Sequence, residues 1–268
     1  MSPEAAPVEP APEAAPAVPD IELARVTKRL GGRNVLDGLD LKVPKGEIFV
    51  IIGPSGTGKS VTLKHVVGLM KPDSGRVLVE GKDITHAGPA SLDAVRTKFG
   101  VLFQNGALLN SLSVGENVAL PLREHTSLPE DEIQRLVREK LALVDLVHAE
   151  DATPDALSGG MRKRVGLARA IVRDPKIILY DEPTSGLDPV MSNVINHLIL
   201  NLKRQLKITS VVVTHDMASA YLIADRIAMI HKGRIVQEGS PKEILQTKNP
   251  IVRQFIDGNI HGPLTEAA

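Results

Sequence analysis

The chain has 268 residues, 43% of them apolar, enough for one large domain or two small ones with a buried core. Basic and acidic residues number 32 each, so the formal net charge is zero, and no global field draws the chain to nucleic acid or to an anionic membrane surface. Cysteine is absent, which excludes disulfides, thiolate metal sites and cysteine nucleophiles; no apolar run approaches the roughly 20 residues of a spanning helix, so the chain is expected to cross no bilayer unaided.

Residues 1–20 mix Pro, Ala and Glu without periodicity and lack both the basic start and the apolar centre of a signal peptide, which predicts a disordered or semi-extended tail. Strand-like segments follow at Ile21 to Val26 and Val35 to Val43, ahead of the apolar run Ile48 to Ile52. Three more short runs are Val101 to Phe103, Ile177 to Tyr180 and Val211 to Val213. Runs of this kind, separated by longer helical patterns, predict an α/β fold with a mostly parallel sheet covered on both faces. Each run ends in polar chemistry: Gly53 and a glycine-rich loop, Gln104, the pair Asp181-Glu182, and Thr214-His215-Asp216. Ligand sites of open α/β sheets lie beyond the carboxyl ends of the strands, so these four ends are expected to converge.

Gly53-Pro54-Ser55-Gly56-Thr57-Gly58-Lys59-Ser60, continued by Val61, fits the P-loop pattern between a buried strand and a helix carrying Leu63, Val66, Val67 and Met70 on one stripe. Glycines let successive backbone N–H groups face phosphate oxygens, and the helix start adds partial positive charge. Lys59 is expected to reach the terminal phosphates of a nucleotide and Ser60 to ligate magnesium.

A P-loop alone fits several nucleotide enzymes; the later motifs discriminate. Leu157-Ser158-Gly159-Gly160-Met161 opens an arginine-rich helical pattern, and Ile177 to Tyr180 leads into Asp181-Glu182-Pro183-Thr184-Ser185-Gly186-Leu187-Asp188-Pro189. From Ile21 to Phe255 this order resembles the ABC ATPase family, a P-loop NTPase fold with a mostly parallel central sheet, an antiparallel N-terminal β part and a helical signature subdomain, here about 105–172. The resemblance makes residues 157–161 the signature motif, Asp181-Glu182 the end of Walker B, Asp188 part of the D-loop, Gln104 the Q-loop and His215 the switch histidine. It implies ATP and Mg2+ as ligands. Lys59, Gln104, Glu182 and His215 are then the catalytic set, with Glu182 as general base for the attacking water. Ser60, Gln104 and Asp181 are the magnesium set, since hard cations prefer oxygen. It further implies that the signature of one copy closes over the P-loop ATP of a second in a head-to-tail dimer. The run Arg162-Lys163-Arg164 reads either as help with phosphate charge or as an ordinary solvated helix face.

Leu102 to Leu108, Pro121 to Thr126 and Val252 to Gly258, together with LSGGM in place of LSGGQ, resemble the ATPases of MCE-type lipid transporters such as the Mla phospholipid system. That resemblance implies a permease, an MCE-domain lipid-binding protein, a small accessory subunit and a place on the cytoplasmic face of the inner membrane, with no nucleic-acid partner. The competing readings are an ABC ATPase acting on nucleic acid or ribosomes, which usually carries paired domains or coiled-coil insertions, and a P-loop kinase, which leaves the signature motif unexplained. One departure concerns the base. Thr27 to Gly32 holds no aromatic residue to stack on adenine, so either Arg29, through its planar guanidinium, or Leu30 has to take that role.

The ATPase domain is expected over 21–247, with 248–268 as a C-terminal helix and tail. Ser240-Pro241-Lys242-Glu243 has the residues of a capping box and predicts a helix from Pro241 to about Gln246. A second start at Asn249-Pro250 predicts a two-turn helix with Ile251, Val252, Phe255 and Ile256 on one side, ended by Gly258. So short a helix must pack on something. Its own domain is one answer; a partner ATPase or an accessory subunit is the other.

Overall fold

The computed structural model describes residues 18–265. The tail expected over 1–20 therefore lies outside the described residues except for its last three. Asp20 already belongs to the folded body: its N–H donates to Val43 O at 3.0 Å and its buried carboxylate accepts from the Thr209 hydroxyl.

Strands β1 (Ile21–Leu30) and β2 (Arg33–Val43) form a hairpin that turns on Gly31 and Gly32 at φ 55° and 82°. β3 (Ile48–Ile52) leads through the glycine-rich loop into α1 (Lys59–Val66). β4 (Ser74–Val79) and β5 (Lys82–Asp83) return to the hairpin and complete an antiparallel sheet of order β2-β1-β4-β5. After α2 (Pro89–Arg96) and β6 (Phe99–Leu102), three helices intervene: α3 (Val114–His125), α4 (Glu130–Leu143) and α5 (Gly159–Ile171). The chain then alternates through β7 (Ile177–Asp181), α6 (Pro189–Leu206), β8 (Thr209–Val213), α7 (Met217–Ile223), β9 (Arg226–His231) and β10 (Arg234–Gly239). It closes with α8 (Pro241–Leu245) and α9 (Pro250–Asp257).

The central sheet has order β10-β9-β3-β8-β7-β6, parallel throughout except at β10. Its side chains alternate between two cores, as period-2 geometry requires. Ile48, Val50, Ile52, Ile178, Tyr180 and Val212 pack toward α3, α4 and α5; Phe49, Ile51, Ile177, Leu179, Val211 and Val213 pack toward the antiparallel sheet and α1. With both faces covered, β3, the first four residues of β7 and Val211 to Val213 of β8 read as continuous apolar runs.

Two expectations need correction. The stripe on α1 stops at Val67: Gly68 takes φ 65° and its N–H turns back to His65 O, so Met70 falls beyond the helix. The expected run through Phe103 ends at Leu102, and Phe103 is exposed.

The capping box forms at α8, where Ser240 Oγ accepts from Glu243 N–H and Glu243 returns a bond to Ser240 N–H. α9 is capped by Asn249 and ended by Gly258 in the left-handed region, φ 66°. Its apolar side packs on its own domain, with Val252 fully buried and Ile251, Phe255 and Ile256 half-buried against the same core. Gln254 binds the chain that follows, donating to Asn259 O at 3.1 Å and accepting from Leu264 N–H at 2.7 Å. Val252→Ala is therefore expected to destabilise the domain by about 2 kcal/mol and to lower Tm. Ile260→Ala, at a side chain 76% exposed, leaves thermal unfolding unchanged.

Candidate nucleotide site

Register brings the four strand ends level. Ile51 and Asp181 both pair with Val213, and Leu102 pairs with Tyr180. Two residues past Leu102 and past Tyr180 stand Gln104 and Glu182; two past Ile51 and past Val213 stand Gly53 and His215. They reach one edge of the sheet. A cavity of about 280 Å³ there is lined by Val35, Ser55, Gly56, Gly58, Lys59, Ser60, Val61, Gln104, Glu182 and His215.

The loop is shaped by glycine at two close approaches. A Cβ on Gly53, at φ 144°, would sit 2.3 Å from Ile230 O, and one on Gly58, at φ 105°, would sit 2.8 Å from Val35 O. Thr57 Oγ1 donates to Pro54 O at 2.8 Å and braces the turn. The Lys59 ammonium is buried and donates to Gly53 O at 2.7 Å and Pro54 O at 3.0 Å, which leaves an N–H for a phosphate oxygen. Burial pulls Lys59 below its ordinary value, opposed by the carboxylates of Glu182 and Asp181.

Ser60 Oγ donates to Asp181 Oδ1 at 3.1 Å. Burial raises Asp181 above the usual carboxylate range, against the hydroxyl bond. A hydroxyl and a partly desolvated carboxylate side by side fit a hard divalent cation, which would take its other oxygens from phosphate and water. Gln104 Nε2 reaches across to Ser185 Oγ at 3.5 Å.

Glu182 occupies the left-handed region at φ 53°, costly for a residue with a side chain. Its N–H donates to Val213 O at 2.9 Å and its carbonyl accepts from Ser185 N–H at 3.2 Å. Its Oε2 lies 2.9 Å from His215 Nδ1, but off the line of a ring N–H, and finds no aligned donor though buried. An uncommitted carboxylate oxygen at the cavity wall is what a proton acceptor requires.

A family profile described as "ABC transporter" matches residues 36–185. A probable ribonucleotide transport ATP-binding protein, mkl, of Mycobacterium tuberculosis is 46% identical over 91% of this chain and 68% of its own length. The intermembrane phospholipid transport system ATP-binding protein MlaF of Haemophilus influenzae is 43% identical over 91% of this chain and 92% of its own. Among solved structures, the dimeric post-hydrolysis cassette MJ0796 bound to ADP and Pi superposes with TM-score 0.76 at 33% identity, covering 82% of this chain and 98% of that one. The chain belongs to the ABC transporter ATPase family. It is an ATPase, with the α/β cassette fold that the motifs implied.

The remaining site residues of this ABC ATPase stand elsewhere. Ser158 caps α5, its Oγ accepting from Met161 N–H at 3.3 Å, and Gly160 lies so close to α6 that a Cβ would meet Met191 Cε at 2.6 Å. Asp188 caps α6, accepting from Val190 and Met191 N–H at 2.9 and 3.0 Å. None of Leu157, Ser158, Gly159, Gly160, Met161 or Asp188 lines the nucleotide cavity of its own chain. On the side expected to receive the base the wall is Val35; Arg29 turns back, its Nε donating to Gly32 O at 3.1 Å, and neither it nor Leu30 lines the cavity.

Sequence reasoning missed Lys163. Inside the run read as a solvated face or a phosphate aid, it is 5% exposed and donates to Gln104 O and Glu182 O, each at 3.0 Å. Burial pulls this ammonium below its ordinary value too. Arg162 and Arg164 bind backbone away from the cavity, donating to Leu157 O at 2.6 Å and to Val144 O at 3.2 Å. A signal was present: Gly160, Lys163, Leu167 and Ile171 are spaced i, i+3, i+7, i+11, and all four are buried on one stripe of α5.

Lys59→Ala is expected to abolish tight ATP binding, read by calorimetry with magnesium present. Glu182→Gln should bind ATP normally and lower kcat by on the order of a hundredfold or more, the usual scale for losing a general base; wild-type turnover would place the base elsewhere.

Proposed function

We propose that this chain is the motor of an envelope phospholipid transporter, working as a head-to-tail pair on the cytoplasmic face of the inner membrane. The observation that supports the pairing is the division of the site. P-loop, Gln104, Glu182 and His215 share one cavity, while the signature residues open a helix N-terminus outside it. A second copy supplies the missing anion-binding end, with the Ser158 hydroxyl and the amides of Gly159 and Gly160. The dimeric cassette MJ0796 is a precedent at 33% identity.

Within each site, Lys59 and the loop amides hold the terminal phosphates and Asp188 of the partner copy borders them. Ser60, Gln104 and Asp181 would hold magnesium, which when bound would neutralise the phosphate oxygens. Glu182 Oε2 takes the proton of the water that attacks the terminal phosphorus, and the bond to the leaving diphosphate breaks. His215 faces the same oxygen from the adjoining strand and contacts the reacting phosphate.

The named relatives differ in cargo, ribonucleotide for mkl and phospholipid for MlaF. Phospholipid is favoured because this chain and the MlaF relative correspond over 91% and 92% of their lengths, against 68% of mkl. Among the described residues no helix is long and apolar enough to cross a membrane, so a permease is required to couple hydrolysis to lipid movement. A groove of about 430 Å³ next to the Q-loop, with exposed Phe103 and Leu109 on its wall beside Pro121, offers that permease an apolar seat one residue from Gln104. An MCE-domain protein would receive the lipid beyond the membrane. A small accessory subunit would meet the tail after Gly258, where Ile260 is exposed.

Two measurements test this. Copurification at native levels in gentle detergent should recover integral membrane proteins; nucleic acid or ribosomes instead would sink the transport reading. Since the chain is cysteine-free, Ser55→Cys with Ser158→Cys in the Glu182→Gln background should crosslink between chains when ATP is bound. A bond within one chain refutes the shared site.

A further inference from the structure

The signature helix is fastened to the Q-loop at three successive turns. Lys163 donates to Gln104 O at 3.0 Å; Gly166 approaches so closely that a Cβ would meet Gly106 O at 3.2 Å; Arg169 donates to Gly106 O at 2.6 Å and Ala107 O at 2.8 Å. α5 and residues 104–107 therefore move as one body. Of these three contacts, Lys163 also reaches the residue that follows β7, through its second bond to Glu182 O.

Glu182 is the residue most in need of such a hold. At φ 53° its peptide is turned so that the carbonyl faces α5 while the carboxylate faces the cavity. Val213 O holds the peptide on one side of the Glu182 Cα and Lys163 helps to hold the peptide on the other, and with both held the Cα–Cβ bond that carries the carboxylate has a fixed direction. The ammonium is buried, so water does not replace it readily at either carbonyl, and its four-carbon stem gives it reach.

We propose that Lys163 is a positioning residue for hydrolysis, which sets the aim of the Glu182 carboxylate from the signature helix and ties it to the position of Gln104. Five residues along the same helix stands Ser158. Resting on the shared-site reading above, this makes Lys163 a relay between the two nucleotides: when the Ser158 end of α5 engages the partner's ATP, the helix is held, and Lys163 fixes the base of its own site. A helix poorly engaged leaves Glu182 poorly aimed. Each site then hydrolyses well only when the other is filled.

The test uses full-length K163M, which keeps the stem volume and removes the donors, and K163R, which keeps charge and donors. ATP turnover, nucleotide affinity and Tm are measured on each, with wild type alongside. Expected for K163M is a fall in kcat of about tenfold to a hundredfold, the scale of losing charge-assisted bonds at two buried carbonyls, with KM for ATP within about twofold and a Hill coefficient that drops toward one. K163R should recover part of kcat. Wild-type kcat in K163M overturns the positioning role. So does a joint loss of kcat, ATP affinity and Tm in both variants, which would make Lys163 a structural strut only. If wild type itself shows a Hill coefficient of one and stays monomeric as Glu182→Gln with ATP, the relay between sites falls with the shared site, while the split between kcat and KM in K163M still decides the positioning role.

Discussion

A parallel strand buried on both faces presents no side chain to solvent until it ends. β3, β7 and β8 obey that constraint along almost their whole length, every residue being buried except Asp181 at the last position of β7. Pairing in register then aligns the carboxyl ends, so the polar residues that follow separate strands meet at one edge. The nucleotide cavity is a consequence of that alignment rather than a feature added to it. The same constraint explains why the cavity has a buried lysine and a largely covered carboxylate on its wall: beneath them lies the apolar sheet.

What could be read from the chain before folding follows the same division. The strands that lie deep in the sheet announce themselves by unbroken β-branched composition, as in Val211 to Val213, and their ends carry the chemistry. Strands with mixed exposure do not. β4 shows only Val77 and Val79 as buried alternates, β10 is half-exposed along its length, and β9 spends its interior on Ile227, Ala228, Met229 and Ile230, of which two are not β-branched. Those were missed because they need neighbours to define them. Lys163 shows the same limit at a single residue. Three consecutive cations on a helix point about 100° apart, so a run of charge says nothing about each member, and only the spacing with Gly160, Leu167 and Ile171 distinguishes the one that turns inward.

Glu182 carries the local strain of the site. Glycine would occupy φ 53° without penalty, whereas a side chain there costs on the order of 1 kcal/mol or more. The carboxylate cannot be dispensed with, so the surroundings hold the peptide instead. Val213 O takes its N–H, and Ser185 N–H and Lys163 Nζ take its carbonyl. Strand, turn and helix thus hold the two peptides that flank one Cα, which fixes where the carboxylate starts while one of its oxygens remains uncommitted.

His215 is built the opposite way. The residues on either side of it are held: Thr214 N–H donates to Ile51 O at 3.1 Å, and Asp216 caps α7 through the N–H groups of Ala218 and Ser219 while its other oxygen accepts from Thr184 at 3.3 Å and Ser219 at 2.5 Å. Asn196 on α6 extends that network by donating to Ser219 at 2.8 Å. Yet the imidazole itself is 58% exposed, against 13% for the Glu182 side chain. A fixed base faces a ring that is free to rotate about an anchored Cα. Of the two, the ring has the room to answer to a terminal phosphate without disturbing the sheet, which supports the proposed division of sensing at His215 and proton transfer at Glu182.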